Sequence, residues 1–337
     1  MWVSPAGSDA NDGLTPASPF ATLQRANDYP CGGTTTCTPR GEPVVVRLAQ
    51  TTFAITSTTV WTYYDIHNPT TLEPWSYQPG DSWAQVAASG GYPTLDGAFG
   101  LDVGFQFTPA GAGQAATGLT FLYLKWTRFA HAAVELRGAL GTAQDSAGVT
   151  VVLPLPDAAN GVSFYGDYFY QVGNAWNPSL NMGWGAIDTY NSSGDSFVNN
   201  HFVQLENSPT DAGHVHALYL AHNSDAARVV NNEFTDITGD VVRQRDDTQG
   251  TVVSANVFTR AGQFGYVDDW YCGPWQPDSV CAPKEVRSWQ GEFVNNKLNG
   301  LFPEKIPVSQ RGLTFCFDLP KGQCPSPRWT TKSAQPA

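Results

Sequence analysis

Between Gly185 and Asp269 one short unit recurs: an alternating strand, a polar turn, and an Asn with an apolar residue two places on. The anchors are Asn200-His201-Phe202, Asn232-Glu233-Phe234 and Asn256-Val257-Phe258, with Asn296-Lys297-Leu298 as a looser fourth. Successive anchor asparagines stand 32, 24 and 40 positions apart. One basic period of about 24 residues therefore carries insertions, which is the signature of a solenoid. Short alternating strands repeated in this way make the expected fold all-β, a single-domain parallel β-helix.

Composition agrees. Charged residues make up only 14% of the 337 positions while aromatics reach 12%, which suits many short strands joined by turns and opposes a helical bundle or a disordered chain. A formal net charge of −12 opposes nucleic-acid binding, which needs a basic patch. It leaves room for an anionic substrate held by a local cluster of Arg. No apolar run is long enough to span a membrane.

The six cysteines fall into three close pairs, Cys31 with Cys37, Cys272 with Cys281, and Cys316 with Cys324. None has zinc-site spacing, so disulfides closing short Gly- or Pro-containing loops are expected, and with them an oxidising compartment, extracellular or periplasmic. Six cysteines allow other pairings too. Met1 precedes Trp2-Val3 with no apolar leader, so the chain reads as a mature secreted form whose signal peptide has been removed.

The opening, WVSPAGSDANDGLTPASPFATLQRAND, reads as a short strand, a Gly/Asp/Asn turn, and a helix with Ser18 as N-cap and Pro19 at its first position. This segment resembles the opening of secreted right-handed parallel β-helix proteins of the pectate-lyase-like superfamily. The resemblance implies that the helix caps the open end of the coil. Residues 1–42 then form strand and cap, 43–324 the coils with their insertions, and 325–337 a loosely held tail. Pro43 to Leu48 is expected as the first buried strand. GYPTLDGA, ending at Ala98, looks like the entry to the coil, residues 104–118 read as loop, and Leu119 to Gly138 supply a further rung. The aromatic-rich stretch from Trp61 to Trp83 reads as a loop walling a binding groove, and Trp270 to Glu285 as a disulfide-closed excursion.

Side chains on a strand alternate between faces. Aligning AVELRG, AIDTY, LYLAH, VVRQRD and GYVDD by their apolar positions puts Val134, Ile187, Leu218 and Val242 inside, with Leu136, Thr189, Leu220 and Gln244 beside them. The outward column is then Glu135, Asp188, Tyr219, Arg243 and Tyr266, and a second one is Arg137, Tyr190, Ala221, Arg245 and Asp268. His222, Asp246 and Asp269 stand at the strand ends. Charged and aromatic residues concentrated on one rung face make a sugar site, whereas Asn200, Asn232 and Asn256, recurring with the period, read as a turn ladder.

Three of the six histidines, His214, His216 and His222, fall within nine positions and are candidates for acid-base work beside Tyr219 and Arg243. No cofactor is required. The same histidines are the alternative ligands of a transition metal, and Asp246, Asp247, Asp268 and Asp269 are those of calcium.

The resemblance implies a carbohydrate substrate and leaves the reaction open among lyases, hydrolases, epimerases and non-catalytic phage or adhesin proteins. β-Elimination on a uronate needs a cation for the carboxylate, a base and an acid. Arg243 and Arg245, His214 or His216, and Tyr219 fill those roles. Hydrolysis needs two carboxyl groups, for which Asp188 and Asp246, with Glu135 or Asp268, are candidates. The calcium-dependent pectate-lyase signature and the NTD and GDD motifs of polygalacturonases are absent, so hydrolase ranks second. A glycan-binding surface protein without catalysis is the third reading. The expected partner is a polysaccharide or oligosaccharide, contacted through Glu135, Arg137, Tyr190, His222, Arg245, Tyr266, Asp268 and Asp269 by a monomer.

Overall fold

The computed structural model describes residues 1–29, 43–62, 69–109, 116–175, 184–207, 212–262, 265–270, 272–273, 276–279 and 282–302. Three sheets of nine, eight and seven strands run side by side along these residues. One coil shows the plan. Trp184–Tyr190 lies in the third sheet, Ser196–Val198 in the first and His201–Leu205 in the second, and Val215–Ala221 returns to the third, one rung on. Each of these strands pairs in parallel with its counterpart in the next coil. The fold is a parallel β-helix, and the repeated sequence units are its coils.

Stacked aromatic residues fill the interior. Phe169, Phe202, Phe234 and Phe258 lie ring on ring at 4.7, 5.0 and 4.9 Å, close to the strand spacing of about 4.8 Å. Phe121, Phe164 and Phe197 form a second stack on the first sheet, at 4.7 and 5.5 Å. All seven are buried, and each burial stabilises by about 1.5–3 kcal/mol.

The anchor asparagines occupy the turn between the first and second sheets, fully buried at Asn200, Asn232 and Asn256. Asn232 Oδ1 accepts from the backbone N–H of Asn200 at 2.8 Å and from its Nδ2 at 3.0 Å. Asn256 Oδ1 does the same for Asn232, and Asn296 Oδ1 for Asn256. Each Nδ2 also donates to a backbone carbonyl, Asn232 to Phe197 O at 2.9 Å. The residue before each anchor is left-handed, with φ of +58° at Asn199, +57° at Asn231 and +56° at Ala255. A buried turn whose N–H groups have no strand partner needs such acceptors. Asp167 continues the ladder below Asn200, which accepts its N–H at 2.8 Å, and accepts in turn from Leu124 N at 2.7 Å.

The N-terminal helix caps the coil, but it begins later than Ser18. It spans Leu23–Asp28 with Thr22 as N-cap. Phe20 instead pairs with Val3, and Asp9 Oδ1 accepts from Ala21 N and Thr22 N at 2.9 and 3.0 Å, which holds the chain extended past Pro19. From the helix, Gln24 and Asn27 donate to Val60 O at 3.1 and 3.2 Å, and Gln24 Oε1 accepts from Val60 N at 2.9 Å. Helix side chains thus occupy the open edge of the third sheet.

Other expectations change. Val103–Phe107 is a strand of the third sheet, not loop. The described residues of the Trp61–Trp83 stretch, 61–62 and 69–83, do not wall the third-sheet face. Trp61 is buried in the coil against Phe105 at 5.6 Å, Thr70–Pro74 is a strand of the first sheet, and Trp83 opens a short helix and packs on Tyr92, Tyr123 and His201. Five of the six cysteines and the tail lie outside the described residues.

Asn232→Ala removes a donor pair and leaves the buried N–H of Asn200 without its acceptor. The expected loss is about 2–4 kcal/mol, read as a lower midpoint in chemical denaturation with an unchanged slope. Asp195, buried under the turn between the third and first sheets, accepts from Val162 N at 2.9 Å and from Ser192 Oγ at 2.7 Å. Burial pushes its carboxyl up to about 7. In the unfolded chain it returns to an ordinary carboxyl, so its stability contribution is complete below about pH 4 and is lost as pH rises to about 7. Asp195→Asn, which keeps the acceptor for Val162, should gain on the parent across that window by up to about 1.4 kcal/mol per pH unit. Parallel curves for parent and variant would show Asp195 ionised throughout.

Candidate active site

The third sheet carries the expected polar column. Glu135 pairs with Asp188, Asp188 with Tyr219, and Tyr219 with Arg243. Arg137, Tyr190 and Ala221 form the second column. The fifth rung differs by two places, for Arg243 pairs with Asp268, Gln244 with Asp269 and Arg245 with Trp270. The strand starts only at Val267, whose apolar side chain continues the inward column of Val242. Tyr266 therefore does not join the outward face; it is buried against Phe258 at 5.0 Å. Asp269, expected at the strand end, instead pairs with Gln244 within the strand and lies inward, buried on that column.

A bulge brings further groups to the face. Ala217 and Leu218 both donate to Val241 O, at 3.1 and 3.0 Å, so two residues oppose one and the strand is re-aimed. His216 and Tyr219, three apart and on opposite faces by strict alternation, instead lie with rings 5.7 Å apart. The same spacing recurs on the neighbouring rungs. Gly185 N donates to Asp188 Oδ1 at 2.6 Å, and Arg243 Nη1 to Asp240 Oδ2 at 3.3 Å. A Cβ on Gly185 would stand 2.8 Å from Tyr219 N and 2.6 Å from Ile187 O, so only glycine fits there.

The network couples charges to proton carriers. Arg245 donates from Nη1 to Tyr219 Oη at 2.6 Å and from Nη2 to Glu285. Arg243 donates to Asp240 and to Asp268, and Asp240 Oδ1 accepts from Gly265 N at 2.8 Å. Glu135 Oε2 accepts from Gln106 Nε2 at 2.8 Å and pairs with Arg137 Nε at 2.6 Å.

His216 is buried, with Nδ1 2.6 Å from Asp240 O. Burial and then Arg243 push its pKa well below that of a free imidazole, so it is neutral at pH 7. A carbonyl only accepts, so Nδ1 carries the proton and Nε2 the lone pair. Burial raises the Tyr219 pKa, with Arg245 opposing, and keeps the hydroxyl protonated. Burial, then Glu135, raises Asp188 well above the carboxylate range. Burial opposes charge on Arg245, but Tyr219 and Glu285 outweigh it and keep the guanidinium charged.

The remaining candidates lie elsewhere on the rungs. His214 closes a single 3-10 turn before the Val215–Ala221 strand, near enough to disfavour charge on His216. His222 follows that strand, on the order of 20 Å along it from His216, so the three histidines do not converge on one metal. It pairs through Nδ1 with Asp246 Oδ2 at 2.9 Å and stacks on Tyr190 at 5.9 Å. Asp246 Oδ1 accepts from Val286 N, and Asp247 Oδ1 from Trp289 Nε1, both at 2.9 Å. Asp246 thus ties down a later segment and is not grouped with His216 and Tyr219. With Asp268 on Arg243 and Asp269 inward, the four aspartates do not form one oxygen cage. Among the described residues no group of three or more His, Cys, Asp or Glu is arranged to hold a metal ion.

Three members of the network escape a reading by alternation. Asp240 precedes its strand and reaches the face through the i,i+3 spacing that it shares with His216 and Tyr219. Gln106 belongs to the rung read as loop. Glu285 arrives from the excursion after Trp270, and nothing local in the sequence marks it.

No protein-family model and no curated protein matches the chain. Among solved structures it is similar to the GH136 lacto-N-biosidase from Eubacterium ramulus, at 11% identity and a TM-score of 0.43 over 89% of this chain and 60% of that one. It is also similar to pectate lyase Pel9A, at 11% identity and a TM-score of 0.39 over 88% of this chain and 62% of that one. The chain thus spans about three fifths of the length of either, and the likeness is one of fold.

Glu285→Ala leaves the half-buried Arg245 charge without its carboxylate. It should destabilise the protein by about 2–4 kcal/mol, and restoring the pair with Asp at 285 should recover part of that loss. Thermal unfolding of the three proteins checks this.

Proposed function

We propose that the chain is a carbohydrate-active enzyme that cleaves a uronate-containing polysaccharide by β-elimination on the outer face of the third sheet. The observation that carries this reading is the pairing of a neutral His216, lone pair on Nε2, with a protonated Tyr219 whose hydroxyl oxygen is held by Arg245. A base and an acid thus stand on one face beside two cations. His216 Nε2 takes the C5 proton and the C4–C5 double bond forms. The C4–O bond breaks as Tyr219 Oη–H gives its proton to the leaving oxygen. Arg243 and Arg245 counter the uronate carboxylate as charge builds on it. Asp268 is the more exposed partner of Arg243, at 22% against 1% for Asp240, and is the one that a uronate carboxylate displaces. The same reading makes the protein a secreted monomer with disulfide-closed loops and no obligatory cofactor.

A second reading, glycoside hydrolysis, is favoured by one observation: Glu135 and Asp188 are side by side on neighbouring rungs, at a spacing of about 5 Å between strands, where paired carboxyl groups serve as acid and nucleophile.

Incubation with acidic and neutral polysaccharides separates the two. A lyase yields products with unsaturated-uronate ultraviolet absorbance, and a hydrolase yields new reducing ends without it. Cleavage of any glycan with no rise in that absorbance would sink the elimination reading. Tyr219→Phe keeps the ring but removes the proton and the acceptor of Arg245; it should lower kcat by about 10²–10⁴-fold, with no more loss of stability than one hydrogen bond to a charged group accounts for. A variant of full activity would remove Tyr219 from the chemistry.

A further inference from the structure

Glu135 and Asp188 are both fully buried and are paired in register on adjacent rungs. Each has one oxygen satisfied. Glu135 Oε2 has Gln106 and Arg137, and Asp188 Oδ1 has the N–H of Gly185. Each also has one oxygen, Glu135 Oε1 and Asp188 Oδ2, that is buried without a hydrogen-bond partner. Two ionised carboxylates side by side in a dry interior, each with a bare oxygen, would be strongly repulsive. A proton on one of them removes a charge and turns two orphaned acceptors into a donor and an acceptor.

We infer that Glu135 and Asp188 hold a single proton between Glu135 Oε1 and Asp188 Oδ2, with Asp188 as the carboxylic acid and Glu135 as the carboxylate. Arg137, on the Glu135 side, fixes which partner stays ionised. Tyr190 on the same strand as Asp188, Tyr219 on the next rung and His131, just before the Glu135 strand, are the other titratable groups around the pair; burial holds both phenols protonated and, against the pull of Asp102 and Glu135, disfavours charge on His131. The dyad is a positioning pair. Through Asp188 Oδ1 it fixes Gly185 N, and Gly185 lies against the backbone of Tyr219. The inference does not depend on the elimination reading, but it competes with the hydrolytic one, in which the same two carboxyl groups would act on substrate as acid and nucleophile.

Infrared difference spectroscopy of the full chain at neutral pH tests it. Asp188→Asn is uncharged, and its Nδ2–H can donate to Glu135 Oε1, so the fold should persist. The parent-minus-variant spectrum should then contain the carbonyl stretch of one protonated carboxyl. In Glu135→Gln the acceptor changes from carboxylate to amide, and the same band should shift while remaining present. If the parent and Asp188→Asn differ only in carboxylate bands, Asp188 is ionised and the inference is overturned. Should Asp188→Asn fail to fold, Glu135→Gln decides alone: an unshifted protonated-carboxyl band overturns the shared proton, and a shifted one supports it.

Discussion

Parallel rungs stay in register only if something fixes each coil against the next, and here buried turn asparagines do so. Each anchor receives its neighbour's backbone N–H and passes its own on, from Asp167 through Asn200, Asn232 and Asn256 to Asn296. A slip of one residue would break this chain and turn every inward side chain outward. The aromatic stacks reinforce the same alignment at the same spacing, so side chains far apart in sequence, such as Glu135, Asp188, Tyr219 and Arg243, form one column.

The bulge on the third sheet converts that regular column into a candidate site. A strict strand presents one group in two to the outer face, which is too sparse for a base, an acid and their orienting partners. With two residues opposing one before Leu218, positions three apart share the face, and three successive rungs exploit this with Gly185/Asp188, His216/Tyr219 and Asp240/Arg243. Asp240 gains most from the arrangement. Its carbonyl fixes the tautomer of His216, one carboxylate oxygen accepts from Gly265, and the other holds Arg243.

Recurrence and alternation made the coil and four of the five site rungs legible in the sequence, because both are set by local backbone geometry. What was not legible depends on contacts that alternation does not encode. Aligned by eye, GYVDD puts Tyr266 outward and Asp269 at the strand end, whereas aligned by Val267 it shifts by two places and carries both inward. His216 is singled out in the sequence by the density of histidines around it, not by its face, because the bulge has no sequence mark beyond the spacing it creates. Phe20 follows a good helix start at Ser18-Pro19, yet Val3 and Asp9 hold it extended, a tertiary contact overriding a local signal. Glu285 reaches Arg245 over 40 positions.

The cations of the face are not idle charges awaiting a ligand. Arg137, at the exposed edge, is matched by Glu135, and the more buried Arg243 and Arg245 are matched by Asp240 with Asp268 and by Glu285, because removing the carboxylate from a largely buried guanidinium costs on the order of a few kcal/mol. On the elimination reading, an anionic sugar would therefore meet a surface near electroneutrality and would have to exchange with a protein carboxylate. Asp268 is suited to that exchange, being exposed to solvent that can receive it, whereas Asp240 and Glu285 are enclosed. Such an exchange would keep the charge of the face constant as an anionic ligand entered. It favours a ligand carboxylate placed over Arg243, one rung from Tyr219, and gives a neutral sugar no equivalent gain, so selectivity would reside in the swap and not in any excess of positive charge.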